Sequence, residues 1–206
     1  MLFVLSVLRD PTKGVIDMST NNQQETPASN NSHVCSMNEY WGKVVSGGRC
    51  TVALPPLSEG IWTFIGCFAG IGIVTFLAFQ KDVPVLVASL GASACLLYGA
   101  PSVPFAQPRN AIAGHLLSAC IGVACYKLLG AYWYSAALSV GLAVTTMVLT
   151  RTIHPPAGAT ALIAVISKQD WLFPIAPVGI GICVLIIVAI IINNFAIKRK
   201  YPQYWW

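Results

Sequence analysis

Apolar residues fall in six segments, approximately 60–79, 83–99, 110–130, 132–150, 154–167 and 174–197. Short polar breaks separate them: Lys81-Asp82, Ala100 to Arg109, Gly130-Ala131, Arg151-Thr152 and Lys168-Gln169-Asp170. Four segments are long enough to cross about 30 Å of hydrocarbon as helices. The second and fifth are short. The fifth, Pro155 to Ser167, has 13 residues. That is roughly 20 Å of helix, the length of a tilted short span or a re-entrant element. The pattern predicts an all-α membrane protein: a polytopic helical bundle of four long spans plus two short segments.

Upstream of the bundle the pattern is lost. Residues 1–9 are apolar but too short to span, and no basic stretch precedes them as in a secretory signal. Residues 19–33 are polar and low in complexity, and they read as disordered. Asn30-Asn31-Ser32 is a glycosylation sequon, usable only from a lumenal tail. Leu54-Pro55-Pro56 stops the tail, and Ser58 is the expected N-cap of the first long helix. Two regions follow: a largely disordered tail over 1–51 and a transmembrane domain over 52–206.

The halves of the domain match at an offset of 67 residues. Gly91-Ala92-Ser93-Ala94 aligns with Gly158-Ala159-Thr160-Ala161, and Gly114 with Gly181. Each short segment sits in the middle of a three-segment half. An odd number of spans per half inverts the repeat, and short segments in corresponding positions point to a transport site at the repeat interface.

Composition agrees. Of 206 residues, 56% are hydrophobic and 9% charged, against roughly 25% charged in soluble domains. Residues 60–197 hold only seven of the charges. The chain carries a net +5, but Lys and Arg do not cluster beside aromatics, so nucleic-acid binding is not expected. The seven cysteines show no metal-ligand spacing, and five lie in apolar segments. With six crossings, one side collects Lys43, Arg49, Arg109, Arg151, Lys198, Arg199 and Lys200, and the other Lys81, Lys127 and Lys168. If the short segments dip and return, the split is six to four. The positive-inside bias prefers six crossings with both termini on one side.

The candidate chemistry lies at two polar clusters. Arg151, His154, Pro155, Pro156, Gly158 and Thr160 mark the start of the fifth segment. Proline is at home in a first helical turn, and a helix start concentrates free N–H groups and positive dipole where an anion can bind. Arg151 would add a fixed charge, His154 a switchable one, and Gly158 close backbone approach. The blander reading leaves Arg151 and His154 at the lipid headgroups. Gln107, Arg109, Asn110 and His115 form the second cluster on the same side. Gly91 and Ser93, like Thr160, lie in small-residue stretches that also suit close helix packing. No Asp or Glu lies deep in a segment, so a carboxylate proton relay is not available. A Ser93 nucleophile with His115 or His154 as base lacks an evident oxyanion hole. His115 and His154 could instead hold a b-type haem axially.

Seven ordered blocks over residues 52–206 resemble the HPP family of integral membrane proteins. They are Pro55-Pro56-Leu57-Ser58-Glu59, residues 88–94, Gly99-Ala100-Pro101, Gln107-Pro108-Arg109-Asn110, residues 114–118, residues 152–161 with the eponymous His154-Pro155-Pro156, and Lys200-Tyr201-Pro202-Gln203-Tyr204-Trp205. The family is usually described with four spans, and plant members are implicated in nitrite transport across the chloroplast envelope. The resemblance therefore implies a transporter or channel for a small inorganic anion, with nitrite as the candidate, acting without a cofactor and not as an enzyme. A haem-binding redox protein and a non-transporting membrane interaction protein are the alternatives. The expected partners are the lipid bilayer and the anion, with homo-oligomerisation open. The residues leave the membrane itself, plasma membrane or organelle, undecided.

Overall fold

The computed structural model describes residues 37–45, 54–79 and 87–205. The chain divides into two units, Met1–Val52 and Ala53–Trp206. In the first, α1 (Met37–Val45) is a nine-residue helix within the stretch expected to be largely disordered. Residues 1–9 and 19–33, the sequon and the Lys81-Asp82 break lie outside the described residues.

The second unit is a bundle of six helices among the described residues: α2 (Leu57–Phe79), α3 (Val87–Ala94), α4 (Pro108–Leu129), α5 (Trp133–Leu149), α6 (Ala157–Ile166) and α7 (Ile180–Phe195). A π-helical turn, Cys95–Gly99, prolongs α3, and another, Pro174–Gly179, leads into α7. The six apolar segments thus become six helices. Three of them, α2, α4 and α7 with its leading turn, are long and apolar enough to cross a membrane. The segment 132–150, expected to be long, yields 17 helical residues, about 25 Å. Ser58 does not cap α2: the helix opens one residue earlier, with the Glu59 N–H donating to the Pro56 carbonyl at 2.9 Å.

Packing follows residue size. On α2 the buried stripe is Gly66, Gly70, Val74 and Ala78, spaced four apart, while Phe64, Phe68, Phe76 and Phe79 face outward. Without water to drive burial, helices in lipid associate through small residues that admit close approach, and bulky apolar residues face the acyl chains. The same logic joins α4 to α6. A Cβ on Gly122 would stand 2.5 Å from the Ala161 carbonyl oxygen and 2.7 Å from the Ala164 methyl. Gly122→Val is therefore expected to lower stability by about 2 kcal/mol or more, read as an earlier thermal unfolding midpoint in detergent. Gly141→Val, where a Cβ meets nothing within 4 Å, should leave the midpoint in place.

Contacts fix the chain direction. Thr63 donates to the Tyr98 carbonyl and Cys67 to that of Ala94, so α2 and α3 are antiparallel. Leu90 meets Gly181 while Asn193 donates to the Leu97 carbonyl, so α3 and α7 are parallel. His115 meets Thr160 and Gly122 meets Ala164, so α4 and α6 are parallel. Arg109 reaches Thr150 and Ser135 donates to the Gly130 carbonyl, so α4 and α5 are antiparallel. The direction alternates through all six helices, as six crossings require. The start of α2, the start of α4 and the end of α7 share one end. Lys127 and Asp170, 2.7 Å apart, mark the other. Single cysteines at residues 105 and 169 in a Cys-free background should be labelled from opposite sides of the membrane. Labelling from one side would restore a re-entrant arrangement.

Helix pairing also carries the repeat. α2 packs on α3 and α7, and α5 packs on α6 and α4; α3 meets α7 as α6 meets α4; α3 meets α6 and α4 meets α7. Exchanging α2 with α5, α3 with α6 and α4 with α7 maps this set onto itself. Exchanged partners run in opposite directions, so the repeat is inverted. The α4–α6 contact is more extensive than its counterpart.

Candidate functional site

The two short helices meet in the bundle interior. Repeat-equivalent Ser93 on α3 and Thr160 on α6 there take opposite nitrogens of one ring. His115 Nε2 lies 2.7 Å from Ser93 Oγ, and His115 Nδ1 lies 2.7 Å from Thr160 Oγ1. His154, from the α5–α6 connection, adds its Nε2 at 2.9 Å from the same Ser93 Oγ. Its Nδ1 lies 2.7 Å from the Phe105 carbonyl oxygen. The two rings stand 5.0 Å apart, and all four side chains are wholly buried. Gly114 makes room: a Cβ there would approach His154 Cβ to 2.9 Å.

Donor and acceptor capacity fixes the protons. A carbonyl only accepts, so His154 Nδ1 carries hydrogen and, in the neutral ring, Nε2 is bare. Ser93 then donates to His154 Nε2 and accepts from His115 Nε2–H, and Thr160 donates to His115 Nδ1. Four hydrogen bonds run head to tail from Thr160 to Phe105, and every ring nitrogen has a partner.

The other expected residues fall elsewhere. The helix start at His154-Pro155-Pro156 does not present free N–H groups. Ala157 N–H donates to the His154 carbonyl at 2.9 Å, Gly158 N–H to that of Pro155 and Ala159 N–H to that of Pro156. The prolines contribute none, and their tight turn consumes the donors that an anion would need. Arg151 is exposed, in a left-handed backbone conformation at φ 57°. Arg109 makes only a long contact to the Thr150 carbonyl, 3.5 Å. Both lie at the bundle's end, outside the buried cluster. Gln107 braces the 101–106 turn, donating to the Pro101 and Val103 carbonyls and accepting from the Gln203 N–H. Asn110 donates to the Ile153 carbonyl. Neither Gly91 nor Gly158 is a close-approach point: a Cβ on Gly91 meets nothing within 4 Å, and one on Gly158 makes ordinary contact at 3.8 Å.

A b-type haem does not fit. Iron between two imidazoles requires both Nε2 atoms free to face it across the porphyrin plane, whereas here both converge on the Ser93 hydroxyl and the rings stand 5.0 Å apart. Nor do the described residues gather three or more His, Cys, Asp or Glu side chains that could hold a metal ion.

One polar network escaped the sequence reading. Arg199, only 6% exposed, donates Nε to Glu59 Oε2 at 2.7 Å. Its other nitrogens donate to the Tyr98 and Glu59 carbonyls, Asn193 Oδ1 and Thr63 Oγ1. Tyr201 follows it inward, its hydroxyl donating to the Ala106 carbonyl at 2.8 Å. These contacts tie the C-terminal segment to the ends of α2, α3 and α7 and to the turn before α4. Beside them a cleft of about 350 Å³ opens, bordered by Glu59, Ser102, Lys198, Lys200 and Gln203.

Apolar helices with bulky residues outward, small residues inward and an inverted three-helix repeat define a multi-pass integral membrane protein. The model of the HPP transmembrane region matches residues 53–202, and the chain belongs to that family. It is similar to a transmembrane protein of Dictyostelium discoideum, 40% identical over 172 residues, which cover 78% of this chain and 55% of the relative. A second transmembrane protein of the same organism is 39% identical over 165 residues, covering 74% and 58%. The chain spans somewhat over half the length of these curated relatives. No solved structure matches it.

Proposed function

We propose that this protein is a transporter or channel for a small inorganic anion. Nitrite is the candidate implied by its resemblance to the plant members of the family. The observation that carries the reading is the Ser93–His115–His154–Thr160 cluster. Ionisable groups inside a membrane domain are costly and are functional candidates by default. These two lie where the paired short helices of an inverted repeat meet, the position of substrate sites in repeat-built transporters. The cluster replaces the helix start as the anion's site, since hydroxyl and imidazole N–H groups are its donors. Arg109, Arg151, Lys198 and Lys200 at one end would raise the local anion concentration rather than bind at the centre. Transport is favoured over a Ser93 nucleophile because Ser93 lies within the continuous helix formed by α3 and its π-helical turn, where backbone N–H groups are engaged along the helix.

Binding tests this before any flux is measured. A ligand that binds the folded state at a hundred times its Kd stabilises it by about 2.7 kcal/mol. Nitrite should therefore raise the unfolding midpoint of the detergent-solubilised protein, with chloride and sulfate at matched ionic strength raising it less. Equal effects of all three salts would remove the case for a selective site.

A further inference from the structure

Ser93 Oγ has three partners: the Ser89 carbonyl at 3.2 Å, His115 Nε2 at 2.7 Å and His154 Nε2 at 2.9 Å. A hydroxyl has one donor and two acceptor positions, so the single Ser93 proton goes either to His154 Nε2 or to the Ser89 carbonyl. With both rings neutral, the Ser93 proton points to His154 Nε2. If His154 takes up one proton at Nε2, that N–H donates to Ser93 Oγ and the Ser93 proton turns to the Ser89 carbonyl. Ser93 then accepts from both rings and donates once, and His154 Nδ1–H still reaches the Phe105 carbonyl. One hydroxyl rotation accommodates the added proton, every polar atom stays satisfied, and no heavy atom moves.

The groups facing this site are few. His154 is the titratable group facing His115, and His115 the one facing His154. α3 contributes Ser93, α6 contributes Thr160, the turn before α4 contributes the Phe105 carbonyl, and α5 contributes Met147 beside Gly114 and Ser118. The ring nitrogens bond Ser93, Thr160 and the Phe105 carbonyl, with no carboxylate, lysine or arginine among these partners. In the neutral state all four donors are committed, so the cluster has none to offer an anion. A buried anion also needs a compensating charge. One added proton supplies the charge, and the Ser93 proton it releases from His154 Nε2 supplies the donor, turning to the anion in place of the Ser89 carbonyl. We propose that the Ser93–His154 pair, supported by His115, is a proton-binding site that loads one proton together with one anion. Transport through this domain is then electroneutral anion–proton symport. This rests on the anion-transport reading above.

Two measurements on the full chain test it. In the first, His33 is replaced by Gln so that two histidines remain, and their 15N NMR shifts are followed against pH. Opposite tautomers are expected in the neutral state, Nδ1–H for His154 and Nε2–H for His115, with one ring becoming doubly protonated on acidification while the other stays neutral. Identical tautomers, or neither ring gaining a proton in the folded protein, overturn the proposal. In the second, initial nitrite uptake into liposomes is measured with protein-free liposomes subtracted, because nitrous acid itself permeates. An inward proton gradient should raise the rate several-fold, and a potential imposed with potassium and valinomycin should not change it. His154→Gln should abolish the gradient response. Uptake that follows the potential and ignores the proton gradient overturns the coupling and leaves the transport reading standing. No uptake above protein-free liposomes under any gradient removes the transport reading, and symport with it.

Discussion

Ser93→Ala is expected to reduce anion uptake at least tenfold while the bundle remains folded. The substitution removes the hydroxyl on which both imidazoles converge. His154 Nε2 loses its donor and His115 Nε2–H its acceptor, both wholly buried. Each unsatisfied group costs about 1–3 kcal/mol, and one such loss suffered by the loaded state corresponds to roughly ten- to a hundredfold in affinity. A stability cost alone would not establish function, so a second buried serine serves as the control. Ser139 on α5 donates to the Ala136 and Ala161 carbonyls and lies outside the cluster. Ser139→Ala should lower the unfolding midpoint while preserving uptake. Equal loss of uptake in both variants would reduce the cluster to a packing element.

The largest effect on stability is expected from Arg199→Gln, about 3–5 kcal/mol. The guanidinium donates to five acceptors drawn from α2, the end of α3 and α7. Removing it strands the Glu59 carboxylate, which is only 26% exposed. Arg199→Lys should recover little, because an ammonium cannot serve the forked geometry. Glu59→Gln combined with Arg199→Gln should be less damaging than the arginine change alone, since no unpaired charge remains. Thermal unfolding in detergent reads all three. By contrast, the Lys127–Asp170 pair has side chains 42% and 76% exposed. Lys127→Ala should move the midpoint little, because water and salt screen an exposed pair.

Periodicity and residue size made much of the fold legible. Six apolar segments became six helices, and the alternating direction agrees with the distribution of basic residues. The offset of 67 marked Ser93 and Thr160 as counterparts, and the structure places both on His115. What sequence could not show was where backbone donors go. Pro155 and Pro156 suggested a helix start with open N–H groups, yet the tight turn they impose closes those groups onto the preceding carbonyls. Gln107 and Asn110 read as site residues because they are polar near a membrane; in the fold Gln107 braces its own turn and Asn110 ties α4 to the α5–α6 connection. Arg199 was hidden by its neighbours: Lys198-Arg199-Lys200 looks like a headgroup-facing basic run, and only the fold turns the middle residue inward. The convergence of His115 and His154 on one hydroxyl is a tertiary fact, because 39 residues separate them in sequence and the α4–α5 hairpin brings them together.

The most direct test of the buried cluster as an anion pathway is nitrite flux into liposomes carrying the purified protein. It should be run well above the pKa of nitrous acid, with wild type, Ser93→Ala and protein-free vesicles side by side. The account predicts saturable uptake by wild type and a rate near the protein-free background for folded Ser93→Ala. Wild-type uptake no faster than protein-free vesicles, or undiminished uptake by Ser93→Ala, would contradict it.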